Sequence, residues 1–213
     1  MKSKILLLAA IALLSAPSTF AQEFVQCQRG TLASYIALGS GGCMFNSALY
    51  RDFTYTVATT NAVSANDIIV DPVSAPTTSN EFLGLNFLAL TTPWSAGVDT
   101  SSVSVIGYNT VPFPPAEGPA VSGVGLTLDL GTATIGGIIG GATVTEQVTT
   151  AGVASTTDLE VYDICADGCS QRRTESVTLS PASTLQTTLT ISISGGTGGA
   201  SLSNFAADDV FTL

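Results

Sequence analysis

The sequence predicts an all-β protein, a β-sandwich of the jelly-roll or immunoglobulin-like kind with one short N-terminal helix. Apolar and polar residues alternate along most of the chain, and turn residues recur roughly every ten positions. Charged residues make up only 10% of the chain, whereas Ser, Thr and Gly are frequent, which favours strands and turns over exposed helices. About nine or ten alternating segments can be distinguished, the number typical of a sandwich, with a barrel as the alternative.

Residues 1–21 have the features of a signal peptide. Two lysines give a basic start, Ile5–Leu14 forms an apolar segment, and Thr19–Ala21 forms a small-x-small cleavage site. The apolar segment is about ten residues long, half of the roughly twenty that a transmembrane helix needs. We therefore expect export and cleavage, with residues 22–213 forming a single secreted domain that has no further membrane span.

A short helix is predicted near the new N-terminus, between the first two cysteines. In the segment Thr31–Leu38, Thr31 can act as the N-cap, and apolar side chains spaced three and four residues apart share one face. Gly39 follows at the position where a glycine commonly ends a helix. This is the one segment of the mature chain with a helical pattern.

The predicted strands follow in order to the C-terminus. Glu81–Leu90 carries large apolar side chains on both faces, which indicates a central strand. The proline-rich run Val111–Pro119 cannot donate backbone hydrogen bonds to a sheet at its prolines, so we expect an exposed crossover loop there. The remaining predicted strands are Cys43–Ala58, Asn66–Pro72, Ser101–Thr110, Val121–Leu130, Ala142–Thr150, Thr157–Cys165, Arg172–Ser180, Ser183–Ser194 and Ala206–Leu213.

The residue types that are missing exclude most enzyme chemistry. The sequence has no histidine, and both lysines lie in the signal peptide. Ser-His-Asp and Cys-His sites, Schiff-base lysines, P-loops and His-ligated zinc are therefore excluded. Acidic residues outnumber Lys and Arg by 16 to 6, so the surface repels nucleic acid and anionic lipid. We expect no enzyme, with a carboxylate-based glycoside hydrolase ranked third among the functions considered.

Four cysteines in an exported chain predict disulfides. Pairing Cys27 with Cys43 and Cys165 with Cys169 joins the cysteines that are nearest in sequence. Four cysteines allow three pairings, so the connectivity stays open at this point. A zinc site and crossed or redox-active pairs are the alternatives, and neither pair has the Cys-x-x-Cys spacing that zinc sites favour.

Candidate ligand-binding residues are few. Trp94 and Tyr108 could stack on a sugar ring, which makes a carbohydrate-binding module the alternative function. Asp163 and Asp167, together with loop carbonyl groups, could hold calcium and assist that binding. Nearby acidic residues alternate with apolar ones along a strand, as on a solvated face. We predict no catalytic residues, no metal-ligating residues and no required cofactor.

Six stretches, in order along most of the mature chain, carry a resemblance to a known group of proteins. They are GTLASYIALGSGGC, RDFTYTV, VSGVGLTLDL, TVTEQV, ESVTLSPASTL and ISISGGTGGASLSNF. Together they resemble a group of secreted bacterial proteins, many from acidobacteria, that usually carry a C-terminal PEP-CTERM sorting signal. The resemblance implies a β-rich protein destined for the cell surface or an extracellular polymer matrix. It brings no catalytic residues with it.

The C-terminus departs from that group. Its members usually end in a Val-Pro-Glu-Pro motif, an apolar helix and a basic tail, whereas this sequence ends at Phe211–Leu213. We expect either release without an anchor or a truncated sequence. The function expected first is thus that of a non-enzymatic, secreted surface or matrix protein. Its expected partners are extracellular polysaccharide or cell-surface components.

Overall fold

The computed structural model describes residues 24–59, 63–76, 80–114, 120–129, 132–151, 156–166 and 168–212. The predicted signal peptide lies outside these residues, as do residues 115–119 of the proline-rich run and Asp167. Within the described residues, no helix is long and apolar enough to cross a membrane.

The described residues form sixteen strands and one α-helix. In chain order the elements are β1 (Gly30–Thr31), α1 (Leu32–Ala37), β2 (Cys43–Phe45), β3 (Ala48–Val57), β4 (Ile68–Pro76), β5 (Asn80–Ala89), β6 (Trp94–Ala96), β7 (Ser101–Pro112), β8 (Ala120–Thr127), β9 (Ala133–Ile135), β10 (Gly140–Thr150), β11 (Thr156–Cys165), β12 (Cys169–Arg172), β13 (Thr174–Ala182), β14 (Leu185–Ser194), β15 (Ala200–Leu202) and β16 (Asn204–Thr212).

Two large antiparallel sheets and one small sheet contain these strands. The six-stranded sheet has the order β1-β4-β5-β16-β8-β13, and the seven-stranded sheet has the order β12-β11-β10-β14-β7-β3-β2. The three-stranded sheet has the order β6-β15-β9. The prediction of an all-β sandwich with one short helix is confirmed. The strand β5 is an interior strand, as its two apolar faces indicated, and β7 continues two residues into the predicted proline-rich loop.

Side chains alternate between buried and accessible positions along the long strands. Every second residue of β7 from Ser102 to Pro112 is buried, and so is every second residue of β14 from Leu185 to Ile193. We call the buried side of each large sheet its inner face and the opposite side its outer face. The inner faces of both sheets contribute to one hydrophobic core, in which Phe87 of β5 stacks on Phe205 of β16 at 5.2 Å.

The N-terminal segment connects both sheets. Strand β1 extends the six-stranded sheet beside β4, and β2 extends the seven-stranded sheet beside β3. Between them, α1 begins with Thr31 as its N-cap, whose Oγ1 accepts a hydrogen bond from the Ser34 backbone N–H at 3.2 Å. Tyr35 is buried and packs edge-on against Phe53 of β3 at 5.1 Å. The helix therefore covers one end of the core.

The cysteines that are nearest in sequence form the two disulfides, which resolves the connectivity that the sequence left open. Cys27 is bonded to Cys43 at the start of β2, sixteen positions later in the sequence. Cys165 is bonded to Cys169 across the turn between β11 and β12, where the two residues are cross-strand partners. Two disulfides fit an oxidising compartment such as the extracellular space.

Candidate functional site

The two aromatic residues that the sequence indicated for sugar stacking are both in the core. Trp94 is 1% exposed because β6 pairs with β15, and its ring lies 5.6 Å from that of Phe205. Tyr108 is 3% exposed and stacks on Phe53 at 5.4 Å on the inner face of β7. Because neither ring reaches the surface, the stacking role suggested for them has to be given up.

Asp163, one of the two carboxylates suggested for calcium, is paired with an arginine. Its Oδ2 atom accepts a hydrogen bond from Nη2 of Arg173 at 2.7 Å, so the arginine cation lies beside the carboxylate where a calcium ion was suggested. Asp167, the second carboxylate of that suggestion, lies outside the described residues. Among the residues that the structure describes, no group of three or more His, Cys, Asp or Glu side chains converges in the manner of a metal site.

An open cleft lies on the outer face of the seven-stranded sheet, where β3, β7 and β14 run side by side. We call it the polar cleft. It encloses about 430 Å³. Its lining combines hydrogen-bonding side chains with strand backbone, and consists of Asp52, Thr54, Val105, Gly107, Tyr108, Asn109, Gln186, Thr187 and Thr188.

A β-bulge in β3 places Asp52 beside the cleft. The register of β3 on β7 shifts between Arg51 and Thr54, and Asp52 has a φ of 58°, a left-handed conformation that Asp tolerates better than most residues. Oδ2 of Asp52 accepts a hydrogen bond from Nδ2 of Asn109 at 2.9 Å, and Nε of Arg51 lies 3.5 Å from the same oxygen. Asn109 is paired in turn with Gln186 of β14. Three strands thus contribute to one polar row.

Gly107 forms the floor of the cleft next to this row. Its cross-strand partners are Thr54 on β3 and Thr188 on β14. A Cβ atom at Gly107 would lie 2.7 Å from Oγ1 of Thr54, so glycine leaves the floor open where a side chain would fill it. In the described part of the chain, the side chains of Thr54, Thr188 and Gln186 have no hydrogen-bond partner. Their amide and hydroxyl groups are available to a ligand.

The same outer face continues beyond the polar cleft. A second cleft of about 320 Å³ lies at the other end, with apolar lining that includes Val103, Ile139 and Ile164. From Asn109 to Val103, β7 spans about 20 Å, so the two clefts belong to one elongated surface. Between them, β10 and β14 present hydroxyl and amide side chains in cross-strand pairs, at Thr143, Thr145, Gln147, Thr188, Thr190 and Ser192.

Two carboxyl groups lie on the inner faces of the sheets. Glu146 of β10 is 1% exposed, and its Oε2 atom has no hydrogen-bond partner among the described residues. Asp209 of β16 is 3% exposed, and its Oδ2 atom accepts a hydrogen bond from Oγ1 of Thr110 at 2.9 Å. Burial, reinforced by the negative charge of Asp209 and then Asp208, raises the pKa of Glu146 well above 4.5. Burial raises the pKa of Asp209 to about 7.

The sequence-based prediction does not include this buried pair, although the sequence contains a signal for it. Glu146 stands between two valines on the inward side of β10, and Asp209 stands between Ala207 and Phe211 on the inward side of β16. One acidic residue at an inward position of an otherwise apolar face indicates a buried carboxyl. The sequence contains no such signal for the polar cleft, because the cleft results from the β-bulge in β3 and from the position of β7 between β3 and β14.

The fold and the site together define an all-β sandwich with a polar, open cleft on one outer sheet face. No protein-family model and no curated protein matches this sequence. Among solved structures, the chain is similar to TmCBM61, a carbohydrate-binding module, in complex with β-1,4-galactotriose. The identity is 14% over 76% of this chain and 88% of that chain, with a TM-score of 0.30. A likeness this low says nothing about the ligand of the present protein.

Proposed function

We propose that this protein binds a neutral carbohydrate chain, without catalysis, on the outer face of its seven-stranded sheet. The polar row of Asp52, Asn109 and Gln186 beside the open floor at Gly107 carries the proposal. Carboxylate and amide side chains offer paired donors and acceptors that match neighbouring sugar hydroxyls. This site replaces Trp94, Tyr108 and calcium as the basis for carbohydrate recognition.

A polymer suits the surface better than a single sugar. The polar cleft and the apolar cleft lie about 20 Å apart along β7, and hydroxyl groups occupy the strand face between them. The excess of acidic residues disfavours a polyanionic chain. Export through the predicted signal peptide would bring the site to extracellular polysaccharide. A role at the cell surface or in a polymer matrix follows from that placement and from the family resemblance.

A glycan array tests this function directly. The panel contains neutral β-1,4-linked gluco-, manno-, xylo- and galacto-oligosaccharides of three to six units, with uronic acid polymers as the charged comparison. We expect binding to one or more neutral chains, with affinity rising with chain length and unchanged by added calcium or by EDTA. Binding only to the uronic acid polymers, or to no glycan on the array, would contradict the proposal.

Asn109→Ala will weaken binding of the neutral oligosaccharide that gives the strongest array signal. The change removes the amide that bonds Asp52 and leaves a ligand hydroxyl without its partner, a loss of about 1 to 3 kcal/mol or roughly fivefold to 150-fold in Kd. Isothermal titration calorimetry measures the change. Asn66→Ala, at an exposed loop position before β4, is the matched control and should bind as the wild type does.

Gly107→Ala tests the cleft by filling it while every hydrogen-bonding group is kept. The added methyl group approaches only the Thr54 hydroxyl closely, and that hydroxyl can rotate away, so the fold should persist. We expect a loss of affinity of about tenfold or more. Gly125→Ala is the control. Gly125 lies in β8 of the six-stranded sheet, away from the cleft, and a Cβ atom there would lie at an ordinary distance of 3.8 Å from its nearest neighbours. Equal affinities of the two variants would show that the ligand lies elsewhere.

A further inference from the structure

The buried carboxyl pair lies behind the polar cleft, against the inner side of strands whose outer side lines that cleft. In β7, Tyr108 faces the core between Gly107 and Asn109, which face the cleft. In β14, Thr187 faces the core in the same way between two cleft residues. Tyr108 and Thr187 are cross-strand partners, so one pair of strand segments separates the cleft from the buried pair. A change on the inner side therefore acts on residues adjacent to the ligand site.

The groups around the two carboxyls are neutral or acidic. Asp209 faces Tyr50 of β3 and Tyr108 and Thr110 of β7, with Asp208 next to it on β16.

Glu146 faces Tyr108 from the same sheet and Asp209 from the opposite sheet. The four arginines are paired elsewhere, with Asp71, Asp52, Glu175 and Asp163. No cationic side chain among the described residues compensates the pair. Two ionised carboxylates in a core without a cation would strongly destabilise the fold. The two carboxyl groups are therefore protonated in the folded protein.

We propose that protons on Glu146 and Asp209 lock the two sheets together behind the polar cleft, and that their loss loosens β7 and β14 and weakens ligand binding. The lock follows from the burial of both carboxyls, from the unpartnered Oε2 atom of Glu146, and from the β7–β14 strand pair that separates the carboxyls from the cleft. Only its effect on affinity rests on the proposed carbohydrate function. The pKa shifts agree with this proposal, because burial raises the pKa of both carboxyls above the range of an exposed carboxyl.

The lock has a defined direction with pH. A carboxyl whose pKa is higher in the folded than in the unfolded state contributes fully to stability below the unfolded pKa. That contribution is lost as the pH rises through the folded pKa, which is about 7 for Asp209. The free energy of unfolding should thus be highest in mildly acidic solution and lower at pH 8.

A ligand-free experiment tests the lock by itself. Carbon-13 NMR of the side-chain carboxyls follows the titration of Glu146 and Asp209, and amide hydrogen exchange gives protection factors for residues 107–109 and 186–188. We expect titration well above pH 4.5 for both carboxyls and, between pH 4 and 7, a fall in protection of about tenfold per pH unit for each carboxyl that stays protonated in the folded state. Asp209→Asn should reduce that fall, whereas the exposed control Asp99→Asn should retain it. Titration of both wild-type carboxyls near pH 4 overturns the proposal even if the variants fail to fold.

A binding experiment tests the link to the cleft. Cellohexaose, mannohexaose and xylohexaose are titrated into wild type and Asp209→Asn at pH 5 and pH 8. We expect several-fold weaker binding at pH 8 for the wild type and a smaller difference for the variant. An equal pH dependence in both proteins overturns the link to affinity. If no hexaose binds at either pH, the carbohydrate function fails for these chains, and the NMR titration alone decides the lock.

Discussion

Asp209→Asn will stabilise the protein at pH 8 and leave its stability nearly unchanged at pH 4. The buried Asp209 carboxyl has a pKa of about 7 against a usual 3.8, so folding favours its protonated form. Each pKa unit corresponds to about 1.4 kcal/mol, so on the order of 4 kcal/mol of stability is lost between pH 4 and 8 through this one group. Asparagine is uncharged at every pH and can still accept the hydrogen bond from Thr110, so the variant avoids that loss.

Urea unfolding followed by tryptophan fluorescence measures this effect. The chain has one tryptophan, and Trp94 is buried, so its emission reports loss of the core. Glu146→Gln should act in the same direction, because burial also raises the pKa of Glu146. Asp99→Asn is the control, since Asp99 is exposed and has a φ of 54° that asparagine also adopts. A lower urea midpoint for Asp209→Asn than for wild type at pH 8 would disprove the argument.

The strands and the helix could be predicted because their signals are local. Alternation defines β7 and β14 nearly to the residue, and the Thr31 cap defines the start of α1. The disulfide pairs follow from short sequence separation, because cysteines close in the chain meet with little loss of chain entropy. Each of these features depends on residues that lie close together in the sequence, so no knowledge of the strand order is needed.

The candidate site could not be predicted because it depends on strand order and register. The polar cleft exists because β3 and β14 flank β7, which brings residues 52, 109 and 186 together from distant parts of the sequence. The bulge that exposes Asp52 is a deviation from the alternation on which strand prediction relies. Trp94 is misassigned for the same reason, since its burial depends on the pairing of β6 with β15. Long-range pairing decides each of these outcomes.

Loss of the Cys27–Cys43 disulfide will destabilise the protein more than loss of the Cys165–Cys169 disulfide. The first closes a loop with a sequence separation of 16 and the second one with a separation of 4. In the chain-entropy model these loops contribute about 3 and about 2 kcal/mol. The first bond also holds α1 over the core, where Tyr35 packs on Phe53.

The double variants Cys27→Ser/Cys43→Ser and Cys165→Ser/Cys169→Ser separate the two contributions. Urea unfolding by Trp94 fluorescence should place the first variant at the lower midpoint. Reduction of the wild type should lower the midpoint at least as far as the first variant, because the reductant breaks both bonds. The second disulfide joins an exposed turn, where Cys169 is accessible and the ladder between β11 and β12 already fixes the register. An equal or larger effect of the second variant would mean that this turn, and not the segment around α1, limits the stability of the sandwich.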